Sequence, residues 1–353
     1  MSLERRGERL RHIGAGARQN TSLPHKCSVP QPVERRIYAA ERGVRRNLSS
    51  APLELGQTFL LDNLARLTHN IRMKSHARFR FIVIAFLLLT TTYSYSAPAP
   101  IHVLLITGGC CHDYAKQKDI LKKGIEERAN VVVDQLHTDD SSTKPPLPIL
   151  GNPDYAKGYD LVIHDECAAD ISDPAKVEGV LKPHRDGIPA VNLHCAMHCY
   201  RIGNPNDPVT PGTPHGYWFE YLGLQSSAHG PQEPIAINFT DSQGPIAKGL
   251  SDWTTIKEEH YNNIHIFGAH EIARGKQAVT SRDGNVKTND FVVAWSNLYG
   301  PKKTRIFSTT IGHNNATVED PRYLDLVTRG VLWASGHINE DGTPAQGYGP
   351  GGK

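Results

Sequence analysis

The sequence predicts an α/β fold, in which one domain holds a doubly wound, mostly parallel sheet with helices on both faces. Three observations predict it. Short β-branched runs alternate with helical segments after residue 97. Those runs are mainly apolar, as is typical of strands buried on both faces of a sheet. The chain shows no internal repeat, and the region 97–338 suits a single large core.

The first half of this region alternates strands and helices in order. The predicted strands are 102–107, 130–135, 159–164 and 188–193, and the predicted helices are 114–128 and one that starts at Pro174. Ser172 or Asp173 caps the second helix, with Pro174 in its first turn, which is a typical helix start. Strands that alternate with helices indicate parallel pairing.

The second half is less regular. The predicted strands there are 235–239, 277–281, 291–295 and 305–310. A final helix is predicted over 320–334, with Pro321 in its first turn. The Gly-rich tail 339–353 is expected to be flexible.

The N-terminal part reads as a secretion signal preceded by an extension. An unbroken apolar run at 81–89 follows Lys74, Arg78 and Arg80, and small and polar residues come after it. This order predicts a signal peptide over 73–96, cleaved near Ser96 or Ala97, and therefore an exported protein. A short buried helix or an uncleaved membrane anchor remains the alternative.

Residues 1–72 are predicted to be a non-native or disordered extension, because a signal peptide should begin the chain and Met73 precedes its basic region. A disordered arm that binds nucleic acid is the alternative. The whole chain has a net charge of +3, but residues 1–96 hold 16 basic and 6 acidic residues, which leaves a net charge of −7 for the remainder. That acidic remainder argues against nucleic acid or an anionic membrane as partner.

The strongest functional signal is the set of polar clusters that end predicted strands. His112 follows the first strand, His164 and Asp165 end the third, and His194 follows the fourth. The carboxyl ends of parallel strands line the ligand crevice of such a sheet. His313 follows the last strand in the same way. These residues are therefore expected to converge, although a single histidine is more often structural.

The fourth strand runs directly into the residues HCAMHC. A strand that turns abruptly into a helix projects its corner residue, here His194, into the crevice. His194 and His198 are four residues apart and would share one helix face. Such a pair binds zinc when a third ligand arrives, and the candidates are His229, His260, His164 and His112. The possible metal set is therefore His194, His198 and His229.

Two further stretches are candidates for substrate contact. Gly108 and Gly109 follow the first strand, where their backbone N–H groups would face an oxyanion or a sugar hydroxyl, unless they merely form a tight turn. The stretch KEEHY at 257–261 places Glu259 near Tyr261, and an exposed acidic patch is its alternative. Carboxylate and imidazole groups from different loops suit general acid–base chemistry.

Four stretches make the chain similar to the ThuA-like (trehalose utilisation) family, which has the class I glutamine amidotransferase-like, flavodoxin-like fold. They are LLITGGCCHDY, AVNLHCA, IKEEHY and RIFSTTIGHN with LVTRGVLWA. The resemblance covers about residues 101–335 and implies a carbohydrate-processing role. Glutamine-hydrolysing members of the wider fold have a Cys at the elbow and a His-x-Glu pair. Here His194 takes the elbow and Asn315 replaces the acid.

These observations predict an exported enzyme that processes a sugar, glycoside or keto-sugar derivative, and not a glutamine amidotransferase. The expected catalytic residues are His194, Glu259, His313 and His112, and the expected substrate-binding residues are Gly108, Gly109, His164, Asp165, His229 and Tyr261. The expected partner is a small carbohydrate, with no nucleic acid and no stable membrane insertion. A non-catalytic carbohydrate-binding module and a His-ligated, zinc-dependent hydrolase are the alternatives.

Overall fold

The computed structural model describes residues 98–352, so the predicted extension (1–72) and signal peptide (73–96) lie outside the described residues. The described part of the chain forms nine strands in one sheet and five α-helices. The strands are β1 (Ile101–Gly109), β2 (Val131–Thr138), β3 (Leu161–Cys167), β4 (Ala190–Leu193), β5 (Leu224–Phe239), β6 (Trp253–Ile266), β7 (His270–Thr280), β8 (Val286–Tyr299) and β9 (Thr304–Thr309). The helices are α1 (Tyr114–Glu126), α2 (Pro174–Arg185), α3 (Tyr217–Leu222), α4 (Asn315–Val318) and α5 (Pro321–Ser335).

The sheet is half parallel and half antiparallel. Its strand order is β2-β1-β3-β4-β9-β8-β7-β5-β6. The pairs from β2 to β9 are parallel, and the four pairs from β9 to β6 are antiparallel. The prediction of a mostly parallel, doubly wound sheet is therefore wrong for β5 to β8. The physical reason is chain length, because only residues 281–285 join β7 to β8 and a parallel crossover needs about a dozen residues.

The parallel half carries helices on both faces, as predicted. Apart from the edge strand β2, its strands are buried on both sides, and β1 alternates between two apolar clusters. On one face α1 and α5 pack against Val103 and Leu105 of β1. On the other face α2 and α3 pack against Leu104 and Ile106. The ends of these strands are thereby held rigidly, which fixes the loops that follow them.

Local capping explains where α2 and α5 begin. The Asp173 side chain accepts the backbone N–H groups of Ala175 and Lys176 at the start of α2. The Asp320 side chain accepts the N–H of Arg322 at the start of α5. Both helices have Pro in the first turn, and both predicted starts are confirmed. Among the described helices, none has the length and apolar character needed to span a bilayer.

The C-terminal segment 339–352 makes specific contacts with the sheet. The Tyr348 ring stacks on His337 with ring centroids 3.6 Å apart. The Asn130 backbone N–H donates to the Tyr348 carbonyl, and its side-chain amide donates to the Gly347 carbonyl. These contacts tie the segment to the start of β2, in place of the loose tail expected from its composition.

Candidate functional site

His194 occupies a sharp corner between β4 and a short 3-10 helix (His194–His198), as the sequence predicts. Its backbone φ is +42°, a left-handed conformation that is uncommon outside glycine. Its Nδ1 donates to the Thr310 carbonyl at 2.7 Å. The ring is buried, and this bond fixes its orientation so that Nε2 faces the residues of β6.

The Glu259 carboxylate on β6 lies among three imidazoles. Its Oε2 is 3.5 Å from His194 Nε2 and 3.7 Å from His229 Nε2. Its Oε1 is 3.5 Å from His313 Nδ1. The three histidines come from the β4 corner, from β5 and from the segment after β9. The sheet thus assembles one polar cluster from residues that are far apart in sequence.

His112 completes the cluster from the loop after β1. Its ring centroid lies 4.7 Å from those of both His194 and His313. One nitrogen from each of these three histidines lies within 4.8 Å of the other two. All four residues expected to be catalytic are therefore brought together. We call His112, His194, His313 and Glu259, with His229 at their edge, the histidine cluster.

Tyr261 lies inside the same site, and His198 lies behind it. The Tyr261 hydroxyl is 3.4 Å from His194 Nε2, and its ring stacks on His198 with centroids 4.1 Å apart. The Nε2 of His198 bonds to Ser226 Oγ at 2.9 Å. Among the described residues, His194, His198 and His229 do not form a group with metal-ligand spacing. The histidines whose nitrogens do lie close enough to hold a metal ion are His112, His194 and His313. The corner is a short 3-10 turn and not an α-helix.

Glu259 and His194 form an oppositely charged pair within the histidine cluster. Burial alone would raise the pKa of the Glu259 carboxyl, but contact with His194 and the charges of His313 and His229 lower it to about 2. Burial alone would lower the pKa of His194, but Glu259 and Glu258, with the Thr310 carbonyl, raise it above its usual value. The pair therefore favours a carboxylate facing an imidazolium.

The other two central imidazoles are held neutral. Burial, followed by the charge of His194, lowers the pKa of His313 to about 4. Burial and the charges of His194 and His313 lower the pKa of His112 well below its usual value. The Nδ1 atoms of both rings are buried and have no hydrogen-bond partner. A proton donor and two neutral imidazoles thus lie side by side.

Two residues that support the cluster were not singled out in the sequence as site residues. The Gln232 amide donates to His313 Nε2 at 2.8 Å and to Glu259 Oε1 at 3.4 Å. The Glu258 carboxylate accepts the backbone N–H groups of His313 and Asn314 at 3.0 and 3.3 Å. Gln232 pairs with Glu259 across β5 and β6. Because β6 was not among the predicted strands, this pairing could not be predicted from the sequence. Glu258 belongs to the KEEHY stretch, but only its neighbour Glu259 was predicted to be a site residue.

The two glycines after β1 are required by the backbone that surrounds them. Gly108 and Gly109 have φ values of +126° and +98°. A Cβ at Gly109 would collide with the Cys167 carbonyl, and one at Gly108 would lie 2.5 Å from the Thr138 carbonyl. The Gly109 N–H already donates to the Asp140 carbonyl at 3.1 Å. Close approach of neighbouring backbone therefore explains these glycines, and substrate binding is not required.

His164 and Asp165 do not reach the cluster as substrate contacts. His164 is fully buried on the α2 face, with Nδ1 2.8 Å from Glu166 Oε1 and Nε2 3.1 Å from His184 Nε2. The Asp165 side chain lies on the opposite face of β3 and is also buried. Its Oδ2 accepts a hydrogen bond from the Thr107 hydroxyl at 3.4 Å. The expectation for His164 is wrong because successive side chains of a central strand enter opposite cores.

The fold and the histidine cluster define an α/β protein with a polar site at the carboxyl edge of its parallel strands. The ThuA family model, described as trehalose utilisation, matches residues 102–334. The chain therefore belongs to the ThuA family, as the sequence motifs predicted.

Two solved structures are similar to this chain. A putative ThuA-like protein from Parabacteroides merdae ATCC 43184 is 18% identical over 70% of this chain and 97% of its own, with a TM-score of 0.50. One from Bacteroides uniformis ATCC 8492 is 16% identical over 68% of this chain and 95% of its own, with a TM-score of 0.45. No curated protein matches the chain. At these identities the first likeness supports the fold alone.

Proposed function

We propose that this chain is an enzyme that processes a sugar, glycoside or keto-sugar derivative by His/Glu acid–base chemistry. One observation carries the proposal, namely the Glu259 carboxylate lying within 4 Å of His194, His229 and His313. An acid and a base whose pKa values are pushed apart at one site are typical of proton-transfer catalysis. The family description, trehalose utilisation, supports a sugar as the substrate.

In this mechanism His194 is the general acid and His112 the general base. Glu259 keeps the proton on His194, and the Thr310 carbonyl holds that ring in place. His112 Nδ1 has no competing partner and is neutral, so it can accept a proton from a substrate hydroxyl or an acidified C–H. His313 lies beside this pair, and its Nε2 accepts the Gln232 amide N–H at 2.8 Å.

Substrate reaches this site from the side of His229. The His229 side chain is 43% exposed, whereas those of Glu259 and His194 are 11% and 3% exposed. Its Nδ1 donates to the Gly230 carbonyl, which leaves Nε2 facing Glu259 and the opening. His229 is therefore proposed to bind a sugar hydroxyl at the entrance, with Tyr261 beneath it.

Glutamine hydrolysis is disfavoured by the residues at the elbow. The corner residue is His194, and Cys195 follows it. A hydrogen bond with Cys167, together with burial, raises the pKa of the Cys195 thiol well above its usual value. Asn315 replaces the acid of the triad, and its amide donates to Asp113 at 2.9 Å. Neither an activated thiolate nor its carboxylate relay is assembled.

A metal-dependent hydrolase is the second candidate, and a specific observation favours it. The buried Nδ1 atom of His112 has no hydrogen-bond partner, and His194 donates its Nδ1–H to the Thr310 carbonyl, as metal-ligating histidines do with their second nitrogen. His112, His194 and His313 have the spacing to hold a divalent ion such as zinc. A bound ion would activate a water or polarise a substrate oxygen.

The test is incubation of the protein with a panel of disaccharides and their 3-keto forms, read by mass spectrometry. The wild-type protein should form product, and the combined His194→Ala and Glu259→Gln protein should not. His270→Gln is the matched control, because His270 is an exposed histidine paired with Asp241 outside the site. Ligand binding without product in the wild-type protein would instead identify a carbohydrate-binding module.

We also propose that the protein is exported, on the strength of the signal-like segment 73–96. The net charge of −7 that remains after residue 96 supports a protein that binds neither nucleic acid nor anionic lipid. Sequencing the N-terminus of the protein secreted by its host tests this. A start near Ala97 is expected, and a start at Met1 in the cytoplasmic fraction would contradict it.

A further inference from the structure

Cysteines lie together beside the loop that carries His112. Cys110 and Cys111 form a disulfide between adjacent residues, and Cys167 is a free, buried thiol. The Sγ of Cys167 lies 3.3 Å from the Sγ of Cys110. All three sulfurs lie within 4.8 Å of one another. A thiol is therefore held in contact with one sulfur of a disulfide.

We propose that Cys110, Cys111 and Cys167 form a thiol–disulfide exchange site that controls the position of His112. The Cys167 sulfur attacks Cys110 Sγ, a Cys110–Cys167 bond forms, and the electron pair of the original bond leaves on Cys111 Sγ. Cys167 gives up one proton and Cys111 takes up one. The exchange thus balances within the chain, without an oxidant or a reductant.

The surroundings of the three sulfurs suit these roles. A hydrogen bond from Cys195 is the main cause that lowers the pKa of the Cys167 thiol, against the effect of burial. Cys111 is exposed, so the leaving thiol emerges into solvent. Cys199 differs, because its sulfur bonds to the Glu166 carbonyl and accepts the Ala168 N–H, which is a structural role.

The exchange changes the histidine cluster through the backbone that joins Cys111 to His112. Cys111 has a φ of +85°, a left-handed conformation that a non-glycine residue keeps only under restraint. The disulfide ring with Cys110 supplies that restraint, and His112 is the next residue. Opening the ring removes this restraint on the Cys111 backbone, and the His112 ring then shifts from its place 4.7 Å from His194. This inference is independent of which reaction the histidines perform.

Trapping with iodoacetamide tests the exchange directly. The native, oxidised full chain is treated with the reagent, quenched in acid, digested and mapped by mass spectrometry. Exchange predicts an alkylated Cys111 together with a Cys110–Cys167 cross-link. Cys167→Ser should lose the labelling of Cys111, whereas Cys195→Ser, which keeps a hydroxyl donor beside Cys167, should retain it.

A second variant guards against misfolding of the first. Cys111→Ser, oxidised with glutathione disulfide, should form the Cys110–Cys167 bond. Its absence there, or equal labelling of Cys111 with and without Cys167, would overturn the proposal. NMR of the histidine rings checks the consequence, because the His112 signals should shift in the trapped form while those of the distant His270 stay in place. An unmoved His112 would refute its link to the exchange.

Discussion

The Nε2 of His194 lies 3.5 Å from the Oε2 of Glu259, and this contact joins a strained corner after β4 to the middle of β6. The carboxylate raises the pKa of the imidazole, and the imidazole lowers that of the carboxyl. Each group thereby holds the other in its charged form. The proposed acid of the site depends on this pair.

The first prediction concerns the pKa of His194. It should exceed the usual value of about 6.5 in the wild-type protein and fall below it in Glu259→Gln, because burial then acts with less opposition. An NMR titration of the ring measures this. Since the acid must be protonated, activity should be lost as pH rises through that pKa. An unchanged His194 pKa in Glu259→Gln would contradict the pairing.

The second prediction concerns the conformation of His194. Its φ of +42° suits Asn far better than a β-branched residue. His194→Asn should retain near wild-type stability but lose activity, whereas His194→Val should also lose about 1 kcal/mol or more of unfolding free energy. Urea unfolding of both variants decides this. Equal stabilities would show that the corner is not strained.

The sequence alone predicts only part of this fold. Apolar runs and capping residues located β1 to β4, β9 and the helices α1, α2 and α5, because those elements depend on local pattern and double-sided burial. The long antiparallel strands were missed or truncated, because their polar, half-exposed residues resemble loops. The Asp283-Gly284 pair lies in the short connection between β7 and β8. Such a pair is typical of a tight turn and would have favoured antiparallel pairing of these two strands.

The convergence of the strand-end histidines was predicted from the sequence. His112, His194 and His313 lie together because strand ends of a parallel sheet share one edge. His164 was misplaced, because sequence does not show which core a doubly buried strand residue enters. Gln232 was missed, because its role depends on a register between β5 and β6 that only the folded sheet defines.

The third prediction concerns metal. If a divalent ion belongs to the second candidate function, untagged protein should carry it in stoichiometric amount by elemental analysis. His112→Ala should lose it, because it removes one of three converging ligands. His198→Ala is the control and should retain it, since His198 Nε2 bonds to Ser226. Wild-type protein free of bound metal, after metal reconstitution, would end that candidate.

The fourth prediction concerns Glu258. Its carboxylate accepts the backbone N–H groups of His313 and Asn314, so Glu258→Ala leaves both donors unpaired. The expected loss is about 2 kcal/mol or more of unfolding free energy. Glu233→Ala, a half-exposed carboxylate with its nearest Lys257 nitrogen at 4.0 Å, should cost far less. Similar losses in the two variants would show that Glu258 does not hold the loop.

The central claim is that Glu259 and its histidines transfer protons in catalysis. Once the panel identifies a substrate, the most direct measurement is kcat/KM for wild-type protein, Glu259→Gln and His270→Gln. The account predicts a loss of about 10²–10⁴-fold for Glu259→Gln and no loss for His270→Gln, which alters an exposed pair outside the cluster. A Glu259→Gln protein that is folded and keeps wild-type kcat/KM would contradict the account.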